Sequence, residues 1–526
     1  MELGLSHTIN RNQSYDAIRR GELASLRVLH FDHNPQVDPV YVTKGSVKVP
    51  WKTPADALKE NTLPDFSGAC WYFGEALSKR MSADALNGGM AVPIGLIESA
   101  YGGTMIESWF DSDVQLSSCS NITCTAKQTI HFTKATESEC FSSVSGRKGA
   151  GANGQLYNGM VLPFVNMSVK GFLWYQGENN LAYMAGNVLD RTGYACMLPA
   201  LIENWRRVWS AQTGTTDPNA PFGIVQLADS TDEGWGCNVP QMHWAQTANV
   251  GYAPNTFLPH TFMAAAHDLP DPWDDGCEEG AKCCVDTGEP VDPTCGPHRG
   301  YLIQTGKYPG VSQPVTPSAG TTIHPRIKRQ IGQRLAQAAW SLVYGHTEVA
   351  WTGPVLAGCA LTTDSKGQRQ LRVRFNASLL QGDQVVVADY NRTERASVTW
   401  LLVNTSVPAD ADKNFVYANR KPWWGDDYTW INADISPDPK DPTSVLVDVP
   451  TFGTISAIRY GHGSPKGHPQ DGHDKICCGD RNFGLDPCLP ESCPISSRAN
   501  ELPAMPFHAQ IVNGKCKCFA PQTCDS

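Results

Sequence analysis

The strongest constraint on the fold of this 526-residue chain is an alternation of short apolar runs with amphipathic ones between about residues 60 and 345. Ala69/Cys70, Phe73, Ala76/Leu77 and Met81 recur at helical spacing, and the run at 90–97 then reads as a buried strand. Gly171-Phe-Leu-Trp-Tyr175, Phe222-Gly-Ile-Val-Gln-Leu227 and Thr261-Phe-Met-Ala-Ala-Ala266 repeat the strand pattern. Leu198, Leu201/Ile202, Trp205 and Val208/Trp209 share one helical stripe. A last helix opens at Pro325, carries Ile327, Ile331, Leu335, Ala338/Ala339 and Leu342 on one side, and stops at Gly345. Strands alternating with helices predict an α/β fold with a mostly parallel sheet. After Gly345, β-type runs at 371–375, 384–387, 397–403 and 444–449 predict a small antiparallel β domain over 346–460. A Cys-rich tail over 461–526 succeeds it.

Charge and cysteine usage narrow the setting. The formal charge is −10 and no basic block occurs, so a nucleic-acid partner is not expected, since backbone binding needs clustered Lys and Arg. The longest apolar run, 90–97, is far short of the roughly 20 residues that span a bilayer, and no membrane span is expected. Among the 18 cysteines, Cys277, Cys283, Cys284 and Cys295 share one Pro/Gly/Asp-rich insertion over 270–300. Cys477, Cys478, Cys488, Cys493, Cys516, Cys518 and Cys524 crowd the tail. Segments that build no core are usually stapled, so disulfides are expected chiefly within 277–295 and within 477–524. Sequons at Asn12, Asn121, Asn166, Asn376, Asn391 and Asn404 also favour a secreted or lysosomal glycoprotein. The first residues nonetheless carry neither the basic nor the apolar region of a signal peptide.

In parallel sheets, sites form beyond the carboxyl ends of the strands, and three segments fall there. In Glu98-Ser-Ala-Tyr-Gly-Gly-Thr104 the pair Gly102-Gly103 can bring an N–H against a ligand, although from these residues alone a tight turn without function is the better reading. In Trp174-Tyr-Gln-Gly-Glu-Asn-Asn180 the Gln176 amide can donate to a developing oxyanion, or the cluster simply ends a strand and caps the next helix. In Ile323-His-Pro-Arg326, His324 precedes a helix; as a general base it needs a nucleophile opposite it, and otherwise it is a surface residue.

Together these segments resemble the sialate O-acetylesterase family, a branch of the SGNH hydrolases. The matching words are Phe66-Ser-Gly-Ala-Cys-Trp-Tyr-Phe-Gly74, Pro93-Ile-Gly-Leu-Ile-Glu-Ser-Ala-Tyr-Gly-Gly-Thr104 with Ile106-Glu-Ser-Trp109, and Tyr157-Asn-Gly-Met160. Trp174 to Asn180, Phe222 to Leu227, Ile323-His-Pro-Arg326 and Gly332-Gln-Arg-Leu335 continue them in family order. The resemblance implies a three-layer α/β/α esterase domain over 1–345 that removes O-acetyl groups from sugars, typically sialic acid. It implies acyl transfer by a serine, with His324 as base, Gly102 or Gly103 and Gln176 as oxyanion donors, and no metal or organic cofactor. Related branches act on acetylated polysaccharides, and a sugar-binding pseudoenzyme is the reading from another class.

Two departures stand beside this. The family's nucleophile word, Gly-Gln-Ser-Asn-Met, is absent, and Met1 reads as its last residue, which puts the serine and the first strand of the sheet upstream. Ser67 is the substitute to weigh, but it reads better as a helix cap. The family's Asp before the histidine is replaced by Thr321 and Thr322; Asp268 and Glu178 are candidates and the acid stays unassigned. In the tail, His462, His468, His473, Cys477, Cys478, Cys516 and Cys518 are of types that bind zinc, with disulfides as the plainer expectation.

Overall fold

The structure is a computed structural model. It describes residues 3–43, 46–84, 91–114, 154–180, 193–213, 216–228, 238–269, 323–364, 366–387, 401–404, 430–432, 435–449, 455, 457–461 and 493–518. The fold is mixed α/β.

Apolar runs of the first half form two short sheets. β1 (Leu26–Phe31), β2 (Val47–Lys52) and β3 (Ile94–Glu98) lie in the order β2-β1-β3, with β1 parallel to β3 from Leu26↔Ile94 to His30↔Glu98. β4 (Phe172–Trp174), β5 (Phe222–Val225) and β6 (Thr261–Ala264) are parallel throughout. The helices are α1 (Arg11–Arg19), α2 (Pro54–Lys59), α3 (Gly68–Ala83), α4 (Tyr194–Thr213), α5 (Asn238–Ala245) and α6 (Lys328–Leu342). α3 and α6 cross so closely that a Cβ on Gly332 would sit 2.5 Å from Tyr72 Cβ, so only glycine fits. α3 rests on β3 and α6 on β5 and β6. α4 contributes Trp205 and Trp209, whose rings lie 5.5 and 4.8 Å from Phe172. Buried Glu75 ties three helices together: it accepts from Ser14 of α1, from Lys79 at 2.6 Å and from Arg329 at 2.8 Å, while Arg329 also donates to Ser14 Oγ at 2.9 Å.

The two sheets differ at their facing edges. Every residue of β5 and β6 is buried, as parallel strands covered on both faces should be. In β3 and β4, Ile94, Ile97, Phe172 and Leu173 are only half-buried and Gly95 is exposed. No ladder joins β3 to β4 among the described residues, and a cavity of about 730 Å³ lies between them.

The second half is antiparallel, as its alternating runs predict. Nine strands lie in the order β11-β10-β14-β16-β17-β7-β8-β13-β12, where β7 is Leu356–Thr363, β8 Arg369–Phe375, β10 Leu401–Asn404, β11 Trp430–Asn432, β12 Ile435–Pro437, β13 Ser444–Asp448 and β14 Ala457–Tyr460. β16 (Phe507–Val512) and β17 (Lys515–Cys518) sit in its middle, so these tail residues belong to the β domain and 461 is not its end. β9 (Val385–Val387) pairs separately with β15 (Ile495–Ser497). Leu371, Val373, Phe375, Val445, Val447, Tyr460 and Phe507 form its core.

One disulfide departs from the expected clustering: Cys516 of β17 bonds Cys359 of β7, 157 positions away. Cys196 and Cys493 are also disulfide-bonded. The staples expected within 277–295, the His/Cys group at 462–478 and the 270–300 insertion lie outside the described residues. No described helix is long and apolar enough to cross a membrane.

Candidate active site

Residues at the carboxyl end of β3 run into a turn at Gly102-Gly103, both exposed, with Gly103 at φ +70°. Nothing lies within 4 Å of a Cβ built on Gly103, so backbone conformation rather than space calls for glycine there. The turn is braced from within: Thr104 Oγ1 donates to Tyr101 O at 2.7 Å and accepts the Trp109 indole N–H at 2.9 Å.

The segment after β4 is stitched onto this turn by its own amides. Asn179 donates to Gly103 O, and Gln176 Nε2 donates to Thr104 O at 3.1 Å and to Asn180 Oδ1 at 2.7 Å. Asn180 Oδ1 also accepts the Ile106 N–H at 3.0 Å, and Asn180 Nδ2 donates to Glu107 Oε2 at 2.9 Å. Burial pushes the Glu107 carboxyl above its usual range, with the Asn180 amide pulling the other way. Tyr194 OH accepts from Trp174 Nε1 at 3.0 Å and lies 2.9 Å from Gln176 Oε1. Behind it Gln246 donates to Gln176 O at 3.1 Å. Both Gln176 amide protons are thus directed at the turn and at Asn180, so in this arrangement the side chain holds the turn's position. Reaching an oxyanion requires releasing one of those bonds.

His324 lies half-buried just before α6. Its neighbour Ile323 is wholly buried, and Arg326 O accepts the Ile9 N–H at 3.0 Å. Lys328, also wholly buried, donates to Tyr175 OH at 3.3 Å, and its ammonium lies 4.6 Å from that ring's centroid. The helix behind His324 is therefore pinned to the residue before Gln176. The structure joins Gly103, Thr104 and Gln176 by direct hydrogen bonds, while the pin that ties His324 to the same edge is Lys328.

Ser67 is the N-cap of α3: its Oγ accepts the Cys70 N–H at 3.3 Å, as the sequence predicts. Its own N–H donates to Glu98 Oε2 at 2.8 Å, and His30 Nε2 lies 3.8 Å from the same oxygen, with all three residues buried. This Ser/His/Glu group was not legible in the sequence, although an acid ending an apolar strand is a signal. In it the carboxylate holds the serine's amide and the hydroxyl faces the helix. Asp268 gives both oxygens to Arg334, at 2.6 and 2.8 Å, which commits that candidate acid to a bidentate ion pair. Glu178 stands in the turn Glu178–Asn180, on the Gln176 segment itself.

Two buried histidines lie near the site. His243 Nε2 is 2.8 Å from Leu227 O and His267 Nδ1 is 2.9 Å from Gln226 Oε1, with ring centroids 5.9 Å apart. Burial first, then their mutual repulsion, lowers His243 to about 3; burial likewise lowers His267 to about 4, partly offset by Asp268. The cavity between β3 and β4 meets the site at its carboxyl end, where Ser67, Glu98, Tyr101, Thr104 and Gln176 line it.

No family model matches the chain. The sialate O-acetylesterase of Pongo abelii is 31% identical over 475 residues, covering 89% of this chain and 65% of that protein. The Homo sapiens sialate O-acetylesterase is 31% identical over 317 residues, covering 59% of this chain and 46% of that protein. The chain thus spans less than two thirds of the length of these curated relatives. A carbohydrate acetylesterase from Xanthomonas citri shares the fold, with a TM-score of 0.53 over 97% of this chain and 78% of that one at 21% identity. The chain is thus similar to the sialate O-acetylesterases over most of its residues.

Proposed function

We propose that this protein is a serine-type carboxylic ester hydrolase that removes O-acetyl groups from sugars, sialic acid foremost, on a three-layer SGNH-type α/β/α scaffold. The observation that carries the reading is the stitching of the Gly102-Gly103 turn to the Gln176 segment at the carboxyl edge of parallel strands, in a homologue of named acetylesterases. A carbonyl placed against the turn would meet its exposed backbone N–H groups as negative charge develops. His324 takes the nucleophile's proton and returns it to the leaving sugar hydroxyl, with a serine such as that of the family's Gly-Gln-Ser-Asn word as the nucleophile. Gln176 fixes the turn and can lend one N–H by releasing Thr104 O. The reaction asks for no metal or organic cofactor. The Cys359–Cys516 bond supports a secreted or lysosomal protein, since such bonds persist in oxidising compartments.

The test is acetate release from 9-O-acetylated sialic acid and from 4-nitrophenyl acetate. It compares the 526-residue chain with one extended before Met1 by a segment that carries the family's Gly-Gln-Ser-Asn word. The extended protein should turn over. His324→Ala in it should lower kcat by roughly 10⁴-fold or more with an unchanged melting temperature. Near-wild-type turnover of that variant ends the assignment. Serine-inhibitor-sensitive hydrolysis by the unextended chain would instead move the nucleophile to Ser67.

A further inference from the structure

We infer that the outer face of β17, β7 and β8 is a binding site for a linear anionic glycan, one that carries carboxylate or sulfate groups on successive sugars. These three strands hold five cations, Arg369, Arg372, Arg374, Lys515 and Lys517, and no carboxylate, in a chain whose formal charge is −10. The flanking strands β13 and β16 add a single carboxylate, Asp448, which lies opposite Gln370. No run of sequence announces this group, because β8 and β17 meet only through β7.

Residues paired across an antiparallel ladder point to the same side of the sheet. Lys515 pairs with Ala360 and Ala360 with Arg372, so these three make one transverse row. Gly358 pairs with Arg374, and the same register carries Lys517 to Gly358, which makes a second row. Each row has a cation at either end and a small residue between them. The ends stand two strand spacings apart, about 9.6 Å, and the rows about 6.8 Å apart along the strands. Lys515, Lys517 and Arg374 are exposed and Arg372 is half-buried. The alternate residues Cys359, Leu371 and Val373 face the core on the opposite side.

Gly358 and Ala360 therefore floor a trough between two cationic walls. Arg374 reaches over the floor, its Nη2 3.3 Å from a Cβ built on Gly358. The walls are held in place. Arg372 Nε lies 2.6 Å from Oδ2 of buried Asp438, and the Cys359–Cys516 bond beneath the floor locks β17 to β7. Cations fixed in advance lose less freedom when a ligand arrives. Two rows of charge suit anionic groups repeated along a chain, and a floor of small residues admits the edge of a sugar ring. Single-stranded nucleic acid would call for aromatic rings on which bases stack, and this face of the three strands presents none. The inference does not rest on the esterase reading.

The test is equilibrium binding to the full chain at physiological ionic strength, so its failure is distinct from a failure of catalysis. The probes are a sialic acid hexamer for carboxylate, a heparin hexasaccharide for sulfate, neutral maltohexaose and a thymidine hexanucleotide. At least one of the anionic glycans should bind, and maltohexaose should not. Lys515→Gln/Lys517→Gln should weaken that binding at least about 10-fold. Arg27→Gln/Lys59→Gln removes the same charge from exposed positions of the other half and should leave it unchanged. Ala360→Leu, at a half-buried position, keeps every cation but fills the floor, and should also weaken it at least about 10-fold. Binding of neither anionic glycan, an equal loss in Arg27→Gln/Lys59→Gln, indifference to Ala360→Leu, or tighter binding of the hexanucleotide overturns the inference.

Discussion

The two halves of this molecule solve the edge problem of a β-sheet in opposite ways. In the antiparallel half, β16 and β17 return from the last residues of the chain to fill the centre of a nine-stranded sheet, and Cys516 is bonded to Cys359 two strands' width from β16. Its core side chains are buried on all sides. In the parallel half, β3 and β4 leave apolar side chains half-exposed on either side of a cavity, and the candidate active site sits at that cavity's rim. The comparison teaches that the antiparallel half is closed by its own residues, whereas the parallel half draws its order from polar stitching at the carboxyl edge.

Four measurements bear on that contrast. The largest effect is expected in the closed half: replacing Cys359 and Cys516 together by Ala opens a link across 157 positions and should cost about 3–5 kcal/mol, read as a shift in urea midpoint. An unchanged midpoint would show that the strands alone close that sheet. In the parallel half, Asn180→Leu removes the hub between Gln176, Ile106 and Glu107. If the proposed acyl transfer holds, the extended protein carrying it should lose roughly 10²-fold in kcat with KM little changed, because the substitution loosens the turn that would face the oxyanion. A fall in KM-limited binding with intact kcat would relocate the turn's role.

A third measurement uses acidity. His243 and His267 have folded-state values lowered to about 3 and about 4 from an ordinary 6.5. The unfolded chain therefore takes up protons first as pH falls. Their stabilising contribution is complete above about pH 6.5 and declines as pH drops toward 4 and then 3. Urea midpoints at pH 7.5 and 5.0 should differ in the parent and differ less in His243→Gln/His267→Gln; equal pH dependence would remove these rings as its source. The smallest effect is Ser67→Ala, which should cost about 1 kcal/mol through the lost cap of α3. Loss of several kcal/mol would mean that Ser67 does more than cap.

The same contrast explains what the sequence disclosed. β4, β5, β6 and α6 were legible because uninterrupted apolar runs and a long helical stripe survive without context. β1 was not, since Arg27 and His30 interrupt its run; the fold uses His30 beside Glu98, a partner 68 positions on that no local pattern announces. β16 and β17 were hidden by the Pro- and Cys-rich composition around them, which suggests a stapled tail until the ladder to β14 and β7 is seen. At the site, the residue types Gly103, Gln176 and His324 stood out. The commitment of Gln176 to Thr104 and Asn180 depends on two segments meeting, which spacing alone does not give.

The knot at Glu75 has a consequence for how the protein is made. Ser14 finds Arg329 only across 315 positions of chain. At ribosomal rates of about 5–20 residues per second, the amino-terminal helix leaves the ribosome some 15–60 seconds before its anchoring guanidinium exists. For that interval Glu75 has Lys79 but not its buried cationic partner, and α3 lacks the helix that crosses it at Gly332. Until the last helix of the parallel half arrives, the nascent segment that carries α1 and α3 therefore has only part of its buried polar network and of its packing.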